Sequence, residues 1–269
     1  MNKYKIIEKV AVLNSRLSSS LTGKHILIRA SYNDEIFTLF QKDIDKKVIP
    51  ASTIKLFLLD ELIKFKGSLN FNKYIKIQQE DLIKGSGNNL KVGEEYKVID
   101  IMKNLMISSS NTSAKVLRKY FESETGVDFI QHINNINKDK GLLKTNIVNE
   151  HGLANRAQST TLRDFSIFLD GKIKDNDFKV FCNIESYEFL SKSGHKVSIK
   201  NTYTFYDHTH ISAVKTGSLV PDIFNIILFF KFKGFCGYIT DFHNEKIDHR
   251  DIDIINVLQL LKEWSEDQI

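Results

Sequence analysis

The sequence contains few cysteines and prolines, two of each in 269 residues. Cys182 and Cys236 both lie in apolar stretches, so we expect two buried free thiols rather than a disulfide. His208 and His210 have no cysteine or carboxylate partner at a recognisable ligand spacing. We therefore expect neither a metal nor a cofactor.

Long apolar runs are also absent, and no stretch is long enough to cross a membrane. The first ten residues carry charges and lack the uninterrupted apolar core and the small-residue cleavage site of a secretory signal. We therefore expect a cytoplasmic protein, or a periplasmic or secreted one if a leader has been removed.

Charge of one sign does not dominate the chain. The formal net charge is +5, and the lysines are scattered among acidic residues with no basic run that interleaves aromatics. This pattern argues against a nucleic-acid partner. With 42% hydrophobic residues the chain can bury a full core. We expect a monomer that binds a small molecule.

Strand patterns lie near both ends of the chain, and helical patterns fill its middle. Residues 25–40 and 223–240 each read as two strands around a turn. Residues 52–172 have mostly helical apolar spacing, and residues 252–264 form a C-terminal apolar stripe. This order predicts an α/β (α+β) fold, with an antiparallel sheet flanked by N- and C-terminal helices and with a helical insert.

The same order predicts how the chain divides. We expect a discontinuous α/β domain of residues 1–50 and 196–269, and a mainly helical domain of residues 51–195. The active site is expected between the two.

One segment, residues 49–59, combines a candidate nucleophile with a candidate base. Pro50 precedes helical apolar spacing, so Ser52 falls in the first turn of a buried helix and Lys55 lies three residues later on the same face. A serine hydroxyl becomes a good nucleophile beside a base, and a buried lysine with a lowered pKa can act as that base. Alone, this spacing also fits an ordinary helix start.

Two further segments place polar groups at junctions between predicted elements. Ser109 and Asn111 lie on a tight turn between two apolar helices, where they either face a pocket or cap a helix. Lys215, Thr216 and Gly217 lie in the first strong strand. A lysine and a hydroxyl suit a carboxylate ligand, and the glycine allows a close backbone approach.

As an ordered set, these three segments resemble the motifs of the penicillin-recognising serine hydrolases, which include the class A β-lactamases and the D-alanyl-D-alanine carboxypeptidases. The resemblance extends from about Leu27 to the C-terminal helix and implies a β-lactamase/transpeptidase-like fold. The segments that carry it are Ser52-Thr53-Ile54-Lys55, Ser109-Ser110-Asn111 and Lys215-Thr216-Gly217.

The resemblance implies a catalytic role for three of these residues. Ser52 would attack a carbonyl and carry the acyl group. Lys55 would accept the serine proton, directly or through water. Ser109 would relay a proton to the leaving nitrogen.

The resemblance also implies a substrate-binding set. Asn111 would hydrogen-bond Lys55 and the substrate amide, and Lys215 and Thr216 would bind the substrate carboxylate beside Gly217. The backbone N–H groups of Ser52 and Ser218 would form an oxyanion hole, whose donors stabilise the charge that develops in the transition state.

The segment around Glu150 helps to decide which branch of the family the chain resembles. Residues 149–153, followed by residues 160–164, look like a stretch of the carboxypeptidases. Glu150 also fits the loop glutamate of class A β-lactamases, which activates the water that hydrolyses the acyl-enzyme. The sequence separations of the motifs are closer to the β-lactamase pattern. Ser110 and Asn225 depart from it, because those enzymes usually have Asp and Arg there.

We therefore predict a serine hydrolase that forms an acyl-enzyme on an amide bearing a carboxylate, with class A β-lactamase-type hydrolysis of β-lactams as the leading activity. The first alternative is a D-alanyl-D-alanine carboxypeptidase or penicillin-binding protein that acts on a peptide of D-Ala type. The others are a cytoplasmic amidase or acyltransferase on a small metabolite or peptide, and a sensor domain that β-lactams acylate.

Overall fold

The structure, a computed structural model, describes residues 3–204 and 207–266, and the side chains from residue 10 onward within those ranges. The helices are α1 (Lys3–Ser20), α2 (Lys55–Lys64), α3 (Val98–Ile107), α4 (Asn111–Thr125), α5 (Phe129–Asp139), α6 (Leu162–Asp170), α7 (Asn176–Cys182) and α8 (Ile247–Glu266), with short 3-10 helices at Ala51–Ile54 and Gln79–Asp81. The strands are β1 (His25–Tyr32), β2 (Glu35–Lys42), β3 (Tyr74–Lys76), β4 (Glu95–Lys97), β5 (Ser186–Leu190), β6 (Lys196–Lys200), β7 (Ile211–Leu219), β8 (Ile223–Phe232) and β9 (Phe235–Asn244).

A five-stranded antiparallel sheet joins the two ends of the chain. Its strand order is β2-β1-β9-β8-β7, so the N-terminal hairpin pairs with the last strand. Asn33 and Asp34 turn the first hairpin with φ angles of 48° and 65°, as a two-residue hairpin loop requires. Strand β7 lies at the edge of the sheet, where one side of its backbone is not paired with another strand.

Strand β8 shows why the sheet is buried on both faces. Its sequence is almost continuously apolar, a pattern typical of strands covered on two sides. Ile227 and Phe229 pack into one core with the helices of the middle of the chain. Ile226 and Leu228 point the other way, into a second core formed with α1 and α8. The sheet therefore separates two apolar cores.

Small strands interrupt the helical middle of the chain. Strands β3 and β4 form one antiparallel pair, and β5 and β6 form another. The sequence analysis missed β3, β4, β5 and α7, because elements of three to seven residues are too short to show a clear apolar period.

The observed architecture confirms the predicted fold class, an antiparallel sheet with terminal helices and a helical insert. The division into two domains stays a prediction. Its boundary at residue 196 coincides with the start of β6, whose partner is β5 rather than the five-stranded sheet. Residues 1–2, 205–206 and 267–269 of the predicted outer domain lie outside the described residues.

Both cysteines are free thiols, as the sequence predicts, with Cys182 buried and Cys236 half-buried. Among the helices that the structure describes, none combines the length and the apolarity that a membrane crossing requires.

Truncation of Leu228 tests the two-core architecture. This side chain is fully buried in the core between the sheet and α8, so Leu228→Ala is expected to lower the free energy of unfolding by about 2–5 kcal/mol. The control is Leu143→Ala, since Leu143 is 76% exposed, and its effect is expected to stay within about 0.5 kcal/mol. Urea unfolding of both variants measures the difference, and equal effects would contradict the assignment of Leu228 to a core.

Candidate active site

Ser52 lies in a tight turn that packs against the sheet edge. The turn is the 3-10 helix Ala51–Ile54, and α2 begins only at Lys55, whereas the sequence analysis placed Ser52 in the α-helix itself. In a 3-10 turn residues three apart lie on the same side, so Lys55 still rises beside Ser52. Ala51 has a φ of 49° and Thr53 Oγ1 donates to Pro50 O at 2.6 Å. These features fix the turn that carries the hydroxyl.

Gly217 allows strand β7 to approach this turn. A Cβ atom at residue 217 would lie 2.9 Å from the Pro50 carbonyl oxygen and 3.0 Å from the Ser52 nitrogen. A Cβ atom 2.9 Å from a backbone oxygen would force the turn to shift, and one 3.0 Å from a nitrogen would be unusually tight. Strand β7 is thus in van der Waals contact with the turn that carries Ser52, and a larger residue at position 217 would displace that turn.

Lys55 is the most constrained polar side chain of the site. It is fully buried, and its Nζ lies 2.7 Å from Ser52 Oγ, 2.8 Å from Asn111 Oδ1 and 2.7 Å from the carbonyl oxygen of His151. Burial holds the pKa of the Lys55 ammonium well below its ordinary value, and the positive charge of Lys215 lowers it further. Glu150 acts in the opposite direction. A lysine in this state can accept a proton from Ser52.

Ser109 and Lys215 form a second polar pair. Lys215 Nζ donates to Ser109 Oγ at 2.8 Å and to the carbonyl oxygen of Thr216 at 2.6 Å. Ser109 has a φ of 56° on the turn between α3 and α4, an uncommon conformation for a residue with a side chain. The strained turn therefore places one hydroxyl next to the lysine of β7 and, two residues later, Asn111 next to Lys55.

Lys215 is cationic only over part of the pH range. Burial lowers its pKa to about 7, and the nearby Arg250 guanidinium contributes to the decrease. The thiol of Cys182 stays neutral beside it, because burial raises the pKa of that thiol to about 12. The site thus holds two buried lysines whose charges repel each other.

The loop of residues 149–153 closes the site from the other side. Its His151 carbonyl accepts from both Ser52 Oγ, at 3.3 Å, and Lys55 Nζ. Gly152 has a φ of 85°, and a Cβ there would lie 2.2 Å from the Ala51 oxygen. Asn149 Oδ1 accepts from the Gly152 nitrogen at 2.7 Å and fixes the tight turn. The loop backbone therefore packs directly on the turn that carries Ser52.

Most of the residues singled out from the sequence come together, in two linked groups. Ser52, Lys55 and Asn111 form one, and Ser109, Lys215 and Thr216 form the other. Gly217 lies on the Ser52 backbone, and Ser218 follows it with an exposed side chain near the end of β7.

Glu150 is placed differently from the rest. Its carboxylate is buried and accepts from Arg118 Nη1 at 3.1 Å, on the side of α4. It is the following peptide carbonyl, that of His151, which reaches the hydroxyl and the amine.

Three contributors were missed from the sequence: the His151 carbonyl, Arg250, and Thr202, whose Oγ1 lies 2.6 Å from Thr216 Oγ1. A main-chain acceptor leaves no mark in residue type, so His151 had no signal. Arg250 lies in the first turn of α8 and is almost completely buried. A buried arginine in a helix cannot be told from an exposed one by sequence alone.

Among the side chains that the structure describes, in residues 10–204 and 207–266, those of His, Cys, Asp and Glu form no cluster that could hold a metal ion.

Comparison with known proteins identifies the class. The peptidase S11 family, described as D-alanyl-D-alanine carboxypeptidase, matches residues 21–219. The D-alanyl-D-alanine carboxypeptidase DacF of Bacillus subtilis is 25% identical over 185 residues, which are 66% of this chain and 47% of that protein. The chain thus spans about half the length of this curated relative.

Solved structures share the fold. The Streptomyces K15 DD-transpeptidase matches with a TM-score of 0.77 at 21% identity, over 89% of this chain and 97% of the other. The D-alanyl-D-alanine carboxypeptidase DacD of Francisella tularensis matches with a TM-score of 0.75 at 16% identity, over 91% and 70%.

These matches place the chain in the superfamily of penicillin-recognising serine hydrolases. Within it, the chain belongs to the D-alanyl-D-alanine carboxypeptidase family, peptidase S11. The resemblance drawn from the three motifs is confirmed. Of the two branches considered, the comparisons favour the carboxypeptidases over the class A β-lactamases.

The coupling of the two lysines predicts how reactivity depends on pH. Deprotonation of Lys55 raises reactivity as pH increases, whereas loss of the Lys215 charge above about pH 7 weakens binding of a carboxylate. Lys215→Met removes a positive charge from beside Lys55, so the pKa of Lys55 should rise and the acid limb should move to higher pH. Hydrogen bonds to charged groups contribute about 1.5–3 kcal/mol, so reactivity below pH 7 should also fall roughly ten- to hundredfold.

The measurement is the second-order rate of acylation by benzylpenicillin, which carries a carboxylate, over a wide pH range. Lys200→Met, at an exposed position of β6, is the matched control. An unchanged acid limb in Lys215→Met would contradict the coupling.

Proposed function

We propose that this protein is a serine DD-peptidase that cleaves peptides ending in D-alanyl-D-alanine through an acyl-enzyme on Ser52, and that β-lactams acylate the same hydroxyl. One observation carries the proposal: the buried amine of Lys55 contacts Ser52 Oγ, Asn111 Oδ1 and the His151 carbonyl at 2.7–2.8 Å. The match of residues 21–219 to the carboxypeptidase family supports the choice of substrate.

In the first step Ser52 Oγ attacks the carbonyl carbon of the penultimate D-alanine while its proton passes to Lys55 Nζ. The N–H groups of Ser52 and Ser218 are proposed to hold the oxyanion. Two observations support this role. Strand β7 is at the edge of the sheet, and it approaches the Ser52 turn so closely that a Cβ atom added at Gly217 would lie 3.0 Å from the Ser52 nitrogen. Backbone N–H donors that already point at the position of the oxyanion lower the activation barrier, and the loss of one such donor commonly lowers the rate about a hundredfold or more.

In the second part of acylation the bond from carbonyl carbon to nitrogen breaks, and the leaving amine needs a proton. Ser109 is proposed to deliver it, because its hydroxyl is hydrogen-bonded to Lys215 Nζ. Ser109 then regains a proton from the Lys215 ammonium, and the proton that Lys55 took from Ser52 is proposed to restore that ammonium, so that Lys55 is neutral again. A water molecule, or an amine acceptor in a transpeptidation, next attacks the ester carbonyl and gives its proton to Lys55. Lys55 returns this proton to Ser52 Oγ as the ester bond breaks.

The terminal carboxylate of the substrate is proposed to bind at Lys215 and Thr216. Lys215 supplies positive charge at this end of the site, and the Arg250 guanidinium, which is paired with Asp251 at 2.6 Å, acts on Lys215 through its charge. Thr216 follows Lys215 in the chain, and its hydroxyl lies 2.6 Å from that of Thr202. A fixed carboxylate subsite selects peptides that end at the cleaved residue, which is the specificity of a carboxypeptidase.

The position of Glu150 favours slow release of a β-lactam. A class A β-lactamase hydrolyses its acyl-enzyme with water activated by a loop carboxylate. The Glu150 carboxylate instead forms an ion pair with Arg118. We therefore expect a penicilloyl adduct that persists, in place of the rapid turnover that was the leading prediction from the sequence.

Two assays on the purified chain test the proposal. Intact mass after mixing with benzylpenicillin should show one adduct that persists, and Ser52→Ala should show none. An N-acylated peptide ending in D-alanyl-D-alanine should release D-alanine, whereas its L-alanyl-L-alanine counterpart should not. Rapid penicillin loss without an adduct would make the protein a β-lactamase. Release of neither product nor adduct would overturn the proposal and favour another amide substrate.

A further inference from the structure

An ion pair with a buried carboxylate and a half-buried guanidinium lies on the loop that contacts the nucleophile. Glu150 is 6% exposed, and its Oε2 accepts from Arg118 Nη1 at 3.1 Å. The Nε of Arg118 donates to Glu122 Oε1 at 2.8 Å, on the same helix. A buried carboxylate is costly unless it is paired, and removal of one partner of such a pair commonly destabilises the charge that remains. The buried Glu150 carboxylate therefore depends on its pairing with Arg118.

The ion pair joins the two segments that hold the amine of Lys55. Helix α4 begins at Asn111, whose Oδ1 accepts from Lys55, and it carries Arg118 two turns later. Glu150 directly precedes His151, whose carbonyl accepts from the same amine. A bond between Arg118 and Glu150 thus fixes the distance between the two acceptors of Lys55.

A count of donors shows why both acceptors matter. A neutral amine has two N–H donors and one lone pair. In the structure Lys55 Nζ donates to all three oxygens, those of Asn111, His151 and Ser52. When the amine is neutral, Asn111 Oδ1 and the His151 carbonyl take its two N–H groups and its lone pair faces Ser52 Oγ at 2.7 Å. The Ser52 hydroxyl proton then turns from the His151 carbonyl, its partner at 3.3 Å, toward the amine. If the His151 carbonyl moved away, the amine could rotate and the lone pair would lose its direction.

We propose that Arg118 and Glu150 are positioning residues for acylation: their ion pair holds the 149–153 loop against α4, so that the His151 carbonyl orients the Lys55 amine toward Ser52. This assignment gives Glu150 a role different from that of a deacylating base. It rests on the proposed function, since Lys55 is taken as the base for Ser52.

The charges around Lys55 make the two partners distinguishable. The amine is faced by Lys215 from β7 and by Glu150 and His151 from the loop, with Arg118 and Lys115 of α4 behind the loop. Glu150 raises the pKa of Lys55. Loss of its charge should therefore lower that pKa. Loss of Arg118 leaves the Glu150 charge uncompensated and should raise it, provided that the loop stays in place.

The first measurement needs no substrate. The titration of Lys55 is followed by NMR in protein labelled at lysine, with the resonance assigned by Lys55→Arg. We expect the midpoint to move to lower pH in Glu150→Gln and to higher pH in Arg118→Met. Glu122→Gln is the matched control, because it removes another carboxylate partner of Arg118, whose third is Asp128 at 3.8 Å, and should leave the midpoint unchanged.

The second measurement is the acylation rate with benzylpenicillin, taken at the pH plateau of each variant so that the titration shift is removed. Displacement of a catalytic group by about 1 Å can cost on the order of a hundredfold, so we expect Arg118→Met to be at least about tenfold slower. Arg118→Lys keeps a cation beside Glu150 and should recover part of the rate. Thermal unfolding identifies any variant that does not fold.

Two other outcomes would overturn the assignment of Arg118 and Glu150 as positioning residues, and a third would overturn the proposed function. If Glu150→Gln acylates normally but its adduct lasts much longer, Glu150 is the deacylating base. If the variants lose stability while the Lys55 midpoint and the plateau rate stay unchanged, the pair is merely structural. If the wild-type chain forms no Ser52 adduct at all, the proposed function fails, and the Lys55 titration alone still decides whether the ion pair acts on the amine.

Discussion

The site depends on one constraint: the amine of Lys55 is fully buried and contacts three polar atoms. Lys55 is fully buried, and a second buried lysine, Lys215, repels it. Isolated charges in such surroundings are costly, and the neutral form is favoured instead. The Lys55 pKa is therefore lowered, and the neutral amine that a base for Ser52 would require is favoured in a side chain that is ordinarily protonated. Burial is the main cause of the lowered pKa of Lys55, and the surrounding segments cover its side chain completely.

Several uncommon backbone conformations serve that burial. Ala51 and Ser109 both have positive φ angles, although each carries a side chain. Such conformations cost on the order of 1–3 kcal/mol each and persist where the surrounding structure fixes them. Gly152 and Gly217 remove the two Cβ atoms that would separate the loop and strand β7 from the Ser52 turn. Two of the positive φ angles at non-glycine residues, and two close backbone approaches, therefore lie at this site.

The parts of the fold with strong local patterns could be predicted from the sequence. The Asn33–Asp34 hairpin, the apolar strand β8 and the stripe of α8 each follow from residues close together in the chain. The three motifs could also be assembled, because their residue types match a known set. The short strands β3 to β5 could not, since three to five residues do not establish a period.

The finer geometry of the site depends on contacts between distant residues, and so escaped the sequence. The His151 carbonyl belongs to the main chain and carries no sequence signal. Glu150 has the residue type of a general base, and only its partner Arg118, 32 positions away, shows that its charge is already engaged. The 3-10 form of the Ser52 turn likewise depends on its packing against β7 and the 149–153 loop.

The edge position of β7 has a consequence for the solubility of the protein. An exposed strand edge is a template on which other chains can pair and aggregate. The turn that carries Ser52 lies over the face of β7 at Gly217, because the Cβ direction points out of the plane of a sheet. The turn therefore does not itself cover the hydrogen-bonding edge of the strand. Packing of the Ser52 turn and pairing with another extended chain thus involve different sides of β7.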